Sequence, residues 1–202
     1  MWLAVGLGNP GGEYTGTRHN IGFIVLDRLW RRNRAEPGIL NRLFRNRPKK
    51  EATLCSRTAT VTIKDSTGVS VVCLWPLTYM NRSGKAVSAA SRKYRIEPEK
   101  ILIIHDDLDL PLGKVKVKLG GGAGGHKGLI SLMKELEVDR FVRVRCGIGR
   151  PESGGDIVDY VLSPFSVEEY PVVAEMIETA CDAVDAVFGE GPVAAMNRFN
   201  KR

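Results

Sequence analysis

With 202 residues, 43% hydrophobic and 26% charged, the chain is long enough to bury one full core, short of a convincing two domains, and unlike a disordered polymer. Thirty Lys and Arg against 23 Asp and Glu leave a net charge of +7, which points to a polyanionic partner without proving one. No apolar run approaches the roughly 18 residues of a membrane span, and the first residues lack the basic-then-apolar profile of a secretory signal.

Cys55, Cys73, Cys146 and Cys181 are scattered, with no C-x-x-C pair. That pattern reads as reduced thiols in a cytoplasmic protein rather than a zinc site or a disulfide framework. The positive charge is unevenly placed: the stretch from Arg31 to Glu51 carries eight cations and two acids. A solvated loop and a polyanion-binding segment explain it about equally well.

In chain order, Trp2 to Leu7 is a short apolar run closed by glycine, as a buried strand is. A loop rich in Gly, Asn and Pro follows, and His19 stands where helical periodicity begins. Ile21, Val25 and Leu29, with Phe23, Leu26 and Trp30 beside them, give a broad helical stripe. Beyond the basic segment, Ala59–Ile63 alternates and Val69–Trp75 is more continuously apolar, so a hairpin across Gly68 is expected. Pro76–Asn81 reads as a loop before a helix that faces inward through Ala86, Val87, Ala90 and Tyr94.

Ile101–Ile104 has the unbroken apolar character of a central strand, and it ends in His105-Asp106-Asp107-Leu108-Asp109. Lys114–Leu119 alternates strictly, with lysines on one face. The glycine-rich run Gly120–Gly128 then leads into a helix with Leu129, Leu132, Met133 and Leu136 inward. Phe141–Ile148 alternates again. Ser166-Val167-Glu168-Glu169 resembles a capping box ahead of a helix extending to Gly189. Strands alternating with helices predict one α/β domain over residues 1–202, a twisted mixed sheet flanked by helices, with the hairpin supplying the antiparallel part.

Gly6-Leu7-Gly8-Asn9-Pro10-Gly11 fits the G-x-G-x-x-G spacing of a dinucleotide site. That site needs its last glycine to open a helix whose amides hold a pyrophosphate. Here a second loop follows Gly11, and the expected acid, Asp27, falls inside the helical stripe, so no dinucleotide cofactor is expected. The second glycine run lacks the Gly-Lys-Ser/Thr ending of a triphosphatase loop. His19, His105 and His126 lack the i, i+4 spacing of a helical metal site, and no metal is expected.

Ligands of a parallel-rich sheet gather at the carboxyl ends of its strands. Four loops read as strand ends carrying polar side chains: Asn9–His19, Pro76–Asn81, His105–Asp109, and the glycine run with His126 and Lys127. Acid–base chemistry near neutrality suits a histidine oriented by a carboxylate. His19 with Asp106 meets that need, and Asn9 and Asn81 offer neutral amides for a developing oxyanion or a carbonyl. With no Gly-x-Ser-x-Gly elbow and no Cys in these loops, a water nucleophile fits better than a covalent one.

Gly8-Asn9-Pro10-Gly11-x-x-Tyr14-x-x-Thr17-Arg18-His19-Asn20-x-Gly22, Thr78-Tyr79-Met80-Asn81-x-Ser83-Gly84, His105-Asp106-Asp107-Leu108-Asp109-Leu110-Pro111-x-Gly113 and the Gly120–Gly128 run stand in an order that resembles bacterial-type peptidyl-tRNA hydrolases. The likeness continues through Arg143–Pro151 to the C-terminal helix. It implies the three-layer fold of that family and cleavage of the ester between a peptide and the terminal ribose of tRNA, with no cofactor, by a cytoplasmic monomer. It makes His19 the general base that activates water, Asp106 its orienting partner and Asn9 a holder of the scissile region or the water. Asn81 would hold the peptide main chain, Tyr14 and Tyr79 would line the cleft near the acceptor end, and Lys118 and Arg143 would grip the tRNA 5′-phosphate region.

Two features depart from the family pattern. Lys127 stands where asparagine is common; it adds a charge beside the cleft and can donate but not accept a hydrogen bond. The segment at about 31–51 is longer and more basic than expected. A non-catalytic RNA-binding relative is the alternative reading. Asn9, His19, Asn81 and Asp106 argue against it, because a binding surface alone needs no His–Asp pair.

Overall fold

The computed structural model describes residues 1–33, 48–62, 68–151 and 154–201. The basic segment is therefore described only at its two ends, and the expectation for residues 34–47 lies outside the described residues.

Seven strands form one sheet: β1 (Trp2–Gly6), β2 (Lys49–Glu51), β3 (Ser56–Thr62), β4 (Ser70–Pro76), β5 (Ile101–Asp107), β6 (Val115–Leu119) and β7 (Val142–Gly147). Their spatial order is β2-β3-β4-β1-β5-β7-β6. The four central strands β4, β1, β5 and β7 are parallel, and the β2–β3, β3–β4 and β6–β7 pairs are antiparallel. The expected hairpin is thus β3–β4, and the sheet is mixed.

The helices are α1 (Ile21–Asn33), α2 (Ser83–Tyr94), α3 (Lys127–Leu136), α4 (Ile157–Leu162), α5 (Tyr170–Glu190) and α6 (Pro192–Phe199). Successive strand residues alternate between faces, so the sheet separates two apolar layers. Trp2, Ala4, Cys73, Trp75, Leu102, Ile104, Val142 and Val144 pack against α1 and α5. Leu3, Val5, Leu74, Ile101, Ile103 and Phe141 face Val87 of α2 and Leu129 and Leu132 of α3. Strands covered on both faces read as unbroken apolar runs; the edge strand β6 alternates because its lysine face carries no helix directly over it. Among the described residues, no helix is long and apolar enough to cross a membrane.

The glycines of the first loop answer a packing demand. A Cβ at Gly6 would lie 2.3 Å from the carbonyl oxygen of Gly22, and one at Gly22 would lie 2.3 Å from that of Ile104. The start of α1 therefore rests on the bare backbone of β1 and β5, close enough to hold His19 over the end of β5. Spacing that imitates a pyrophosphate fingerprint is here a helix-to-sheet contact.

Three expectations are corrected. His105 and Asp106 are not in a loop after the strand; β5 continues through Asp107, pairing His105 with Arg145 and Asp106 with Cys146. The glycine run does not start at the same edge as the other polar loops. Because β6 is antiparallel, its last residue, Leu119, pairs with Val142 at the opposite edge, and the run must return across the sheet to deliver His126. The capping box is half made: the Glu169 carboxylate accepts from the Ser166 N–H at 2.7 Å, while the Ser166 hydroxyl turns to Glu168. The short elements β2 and α4 had no periodic signal, being only three and six residues long.

Candidate active site

The carboxyl ends of β1, β4 and β5 open into one cleft of about 500 Å³. Asn9, His19, Tyr79, Asn81, Asp106, Lys118, Lys127 and Arg143, separated by up to 134 positions in sequence, all line it. Tyr14 is not part of this lining; its ring lies edge-on to Tyr79 with centroids 6.5 Å apart.

His19 lies in a 3-10 turn, Arg18–Asn20, immediately before α1. Its Nδ1 is 2.9 and 3.0 Å from the two carboxylate oxygens of Asp106. A carboxylate only accepts, so Nδ1 carries the proton and Nε2 is left as a lone pair. The flanking residue anchors this turn. The Arg18 guanidinium makes paired hydrogen bonds to Glu169 at 2.7 and 3.0 Å and lies over the rings of Tyr160 and Phe165. The Arg18 N–H also donates to Ser163 O. His19 is thereby tied to the α4–α5 connection as well as to β5.

Asp106 is 3% exposed and accepts from two imidazoles, since His126 Nε2 is 3.0 Å from its Oδ1. Burial opposes its ionisation, but electrostatic attraction to His126 and His19 and the N–H groups they donate outweigh burial and hold the carboxyl well below the usual range. His126 cannot exchange roles with His19. It caps α3, with Nδ1 accepting from the N–H groups of Gly128 and Leu129, so its proton sits on Nε2. His105 is a third case. Its Nδ1 donates to its own neighbour's carbonyl, Asp106 O, at 2.7 Å, and its buried Nε2 has no partner. Burial, reinforced by His126, pushes its pKa down to about 3, so it stays neutral.

Asn9 is held by a reciprocal pair with Asn20: its N–H donates to Asn20 Oδ1 at 2.8 Å, and Asn20 Nδ2 donates to Asn9 O at 3.0 Å. The Asn9 Oδ1 accepts from the Met80 N–H at 2.7 Å. That bond settles the amide's orientation, leaving the Nδ2 protons as the donor toward the cleft. Asn20 and His126 are the supporting residues that sequence reasoning missed. Asn20 could have been suspected from its place beside His19, but nothing local marked His126 as a partner of Asp106.

Asn81 and Lys127 are exposed at one end of the cleft. Lys118 and Arg143 are cross-strand neighbours on β6 and β7. The resemblance places both among groups that grip tRNA, yet Arg143 is only 2% exposed. Its guanidinium donates to the carbonyls of Gly121 and Gly122 and lies 4.8 Å from the Phe141 ring centroid. Lys118 is the half-exposed member of the pair.

His19, Asp106 and His126 are also the one group among the described residues whose ligand atoms, all within 4.8 Å of one another, could hold a metal ion. A metal there would have to displace both N–H protons that now bond Asp106. Cys146, beside Asp106 in the sheet, offers no nucleophile, because burial raises its thiol pKa far above neutrality.

The model of the family described as "Peptidyl-tRNA hydrolase" matches residues 3–202. The peptidyl-tRNA hydrolase of Rubrobacter xylanophilus is 46% identical over 98% of this chain and 99% of its own. That of Solidesulfovibrio magneticus is 43% identical over 97% and 91%. The crystal structure of the Acinetobacter baumannii peptidyl-tRNA hydrolase superposes with a TM-score of 0.85 at 36% identity, covering 99% of this chain and 94% of that one. The chain belongs to the peptidyl-tRNA hydrolase family.

Proposed function

We propose that the chain hydrolyses the ester of peptidyl-tRNA by water attack, with His19 as general base. One observation carries the reading: His19 Nδ1 is held by Asp106 at 2.9 Å, so the free Nε2 shares a cleft with the outward amide of Asn9.

His19 Nε2 takes a proton from water as the water oxygen bonds to the ester carbonyl carbon. Asp106 stabilises the imidazolium that forms, and Asn9 Nδ2 donates to the carbonyl oxygen as it gains charge. Collapse breaks the bond to the ribose oxygen, which receives the proton from His19. Free tRNA and a peptide acid leave. The step needs no cofactor. Asn81 and Lys127 hold the peptide main chain, with Lys127 donating where the family's common asparagine could also accept. Tyr14 and Tyr79 flank the acceptor end, Lys118 meets tRNA phosphate, and Arg143 shapes the glycine run that faces it. A cytoplasmic monomer suits this substrate. A purely RNA-binding role leaves the His19–Asp106 pair without a purpose.

His19→Ala is expected to lower kcat by about 10²–10⁴-fold while tRNA binding persists. Hydrolysis of an N-blocked aminoacyl-tRNA, followed with and without EDTA, measures it; wild-type turnover in the variant removes His19 from the mechanism.

A further inference from the structure

The turn that carries His19 is held unequally on its two sides. Downstream, the bare-backbone contact at Gly22 and the Asn9–Asn20 pair fix the chain. Upstream, the loop from Gly11 to Gly16 has no buried residue and takes positive φ at both of those glycines. The last anchors before His19 are Thr17, bridged to Pro164, and Arg18. The Arg18 side chain is 8% exposed and reaches Glu169, 151 positions away, with one guanidinium nitrogen on each carboxylate oxygen. Glu169 is fixed in turn, since its Oε2 also accepts from the Ser166 N–H.

The wall that receives this latch stands without it. The Tyr160 hydroxyl donates to Ile148 O at 2.6 Å, and Val161 and Phe165 are buried in the core. The turn therefore takes its position from the wall, and not the reverse. An ion pair withdrawn from water adds little net stability, whereas a planar fork that lies over the Tyr160 and Phe165 rings fixes a direction.

We propose that Arg18, locked by Glu169, is a positioning residue for the hydrolysis: it sets the turn so that His19 Nε2 faces the attacking water. The inference deepens the hydrolase reading above and rests on it. Neither Arg18 nor Glu169 lines the cleft, so the pair acts through His19 without touching substrate. α4 brings Ile157, Val158 and Leu162 into the cleft wall, so the same latch sets the distance between the base and that wall. Charge alone does not suffice, because a lysine ammonium cannot hold both carboxylate oxygens in one plane.

The test compares Arg18→Lys and Glu169→Gln, singly and combined, with folding checked by thermal melting and kinetics run well below the Tm. With an N-acetylaminoacyl-tRNA, each single variant should lower kcat about tenfold or more at an unchanged KM. The double variant should lose little more than either single one, because each change opens the same fork. Isotope-edited proton NMR reads the base without turnover. The His19 Nδ1–H resonance, assigned by its loss in His19→Ala, should shift or broaden in both single variants while the amide signals of the central strands stay in place. A lowered Tm with wild-type kcat and an unmoved His19 resonance overturns the proposal and leaves the pair a structural tie. A rise in KM at unchanged kcat also overturns it, assigning the pair to the substrate wall. Failure of the wild-type protein to hydrolyse the ester would instead sink the hydrolase reading, while the NMR arm still decides whether the pair positions His19.

Discussion

Three histidines surround Asp106, and the ring nitrogen each leaves free decides what each can do. His19 keeps Nε2 free in the cleft; His126 spends Nδ1 on the α3 amides and Nε2 on Asp106; His105 keeps an Nε2 that is buried. In the mechanism proposed above, His126 is a positioning residue, because its hydrogen bond and that of His19 share one carboxylate oxygen of Asp106. His126→Ala removes this hydrogen bond and should lower kcat by about tenfold or more at an unchanged KM. Steady-state kinetics with an N-blocked aminoacyl-tRNA reads this directly, and a kcat equal to wild type would leave His126 with only its capping role. His19 and Asp106 were legible in the sequence as candidates because His19 stands where helical periodicity begins and Asp106 follows the apolar run Ile101–Ile104. His126 was not, since its loop begins at the wrong edge of the sheet.

At the level of elements, the first loop works because α1 approaches β1 and β5 without side chains between them. Gly22→Ala sets two effects against each other. Alanine favours a helix interior by about 1 kcal/mol over glycine, but its Cβ would meet backbone oxygen at 2.3 Å. Backbone cannot swing aside as a flexible side chain can, so the steric cost of about 1–3 kcal/mol or more prevails. The variant is expected to melt several degrees below wild type, and an unchanged or higher Tm would show that the contact is softer than its geometry. The same element logic separates Arg143 from Lys118. Alternation along β6 and β7 puts both on one face, but only the packed glycine run turns Arg143 inward to carbonyls.

At the scale of the whole molecule, pH and salt act through a buried histidine beside the site and through the net positive charge. His105 has a pKa near 3 in the fold against 6.5 for the ordinary side chain. Its neutral form is the folded one, so its contribution to stability is complete above pH 6.5 and is lost as pH falls toward 3. His105→Gln should flatten the decline of Tm between pH 6.5 and 4, a window above most carboxylate titrations; a decline as steep as wild type would assign that loss elsewhere. The net charge of +7 predicts salt-sensitive tRNA binding. Replacing Arg45, Arg47, Lys49 and Lys50 with serine should make the slope of log K against log salt shallower by somewhat under one unit for each phosphate these residues neutralise. An unchanged slope would exclude the basic segment from tRNA binding.

Local pattern was sufficient for the α/β class, the hairpin, the central strand and the choice of Asn9, His19 and Asp106 as candidates, which the fold brings to one cleft. Periodicity, glycine punctuation and side-chain type are properties of neighbouring residues, and they survive in one dimension. Tertiary structure alone decided the rest. His19 and Asp106 are 87 residues apart, and His126 reaches them only because an antiparallel edge strand sends the glycine run back over the sheet. Which nitrogen is free, which way an amide faces and whether an arginine meets solvent depend on partners brought by folding, and a sequence does not record their directions.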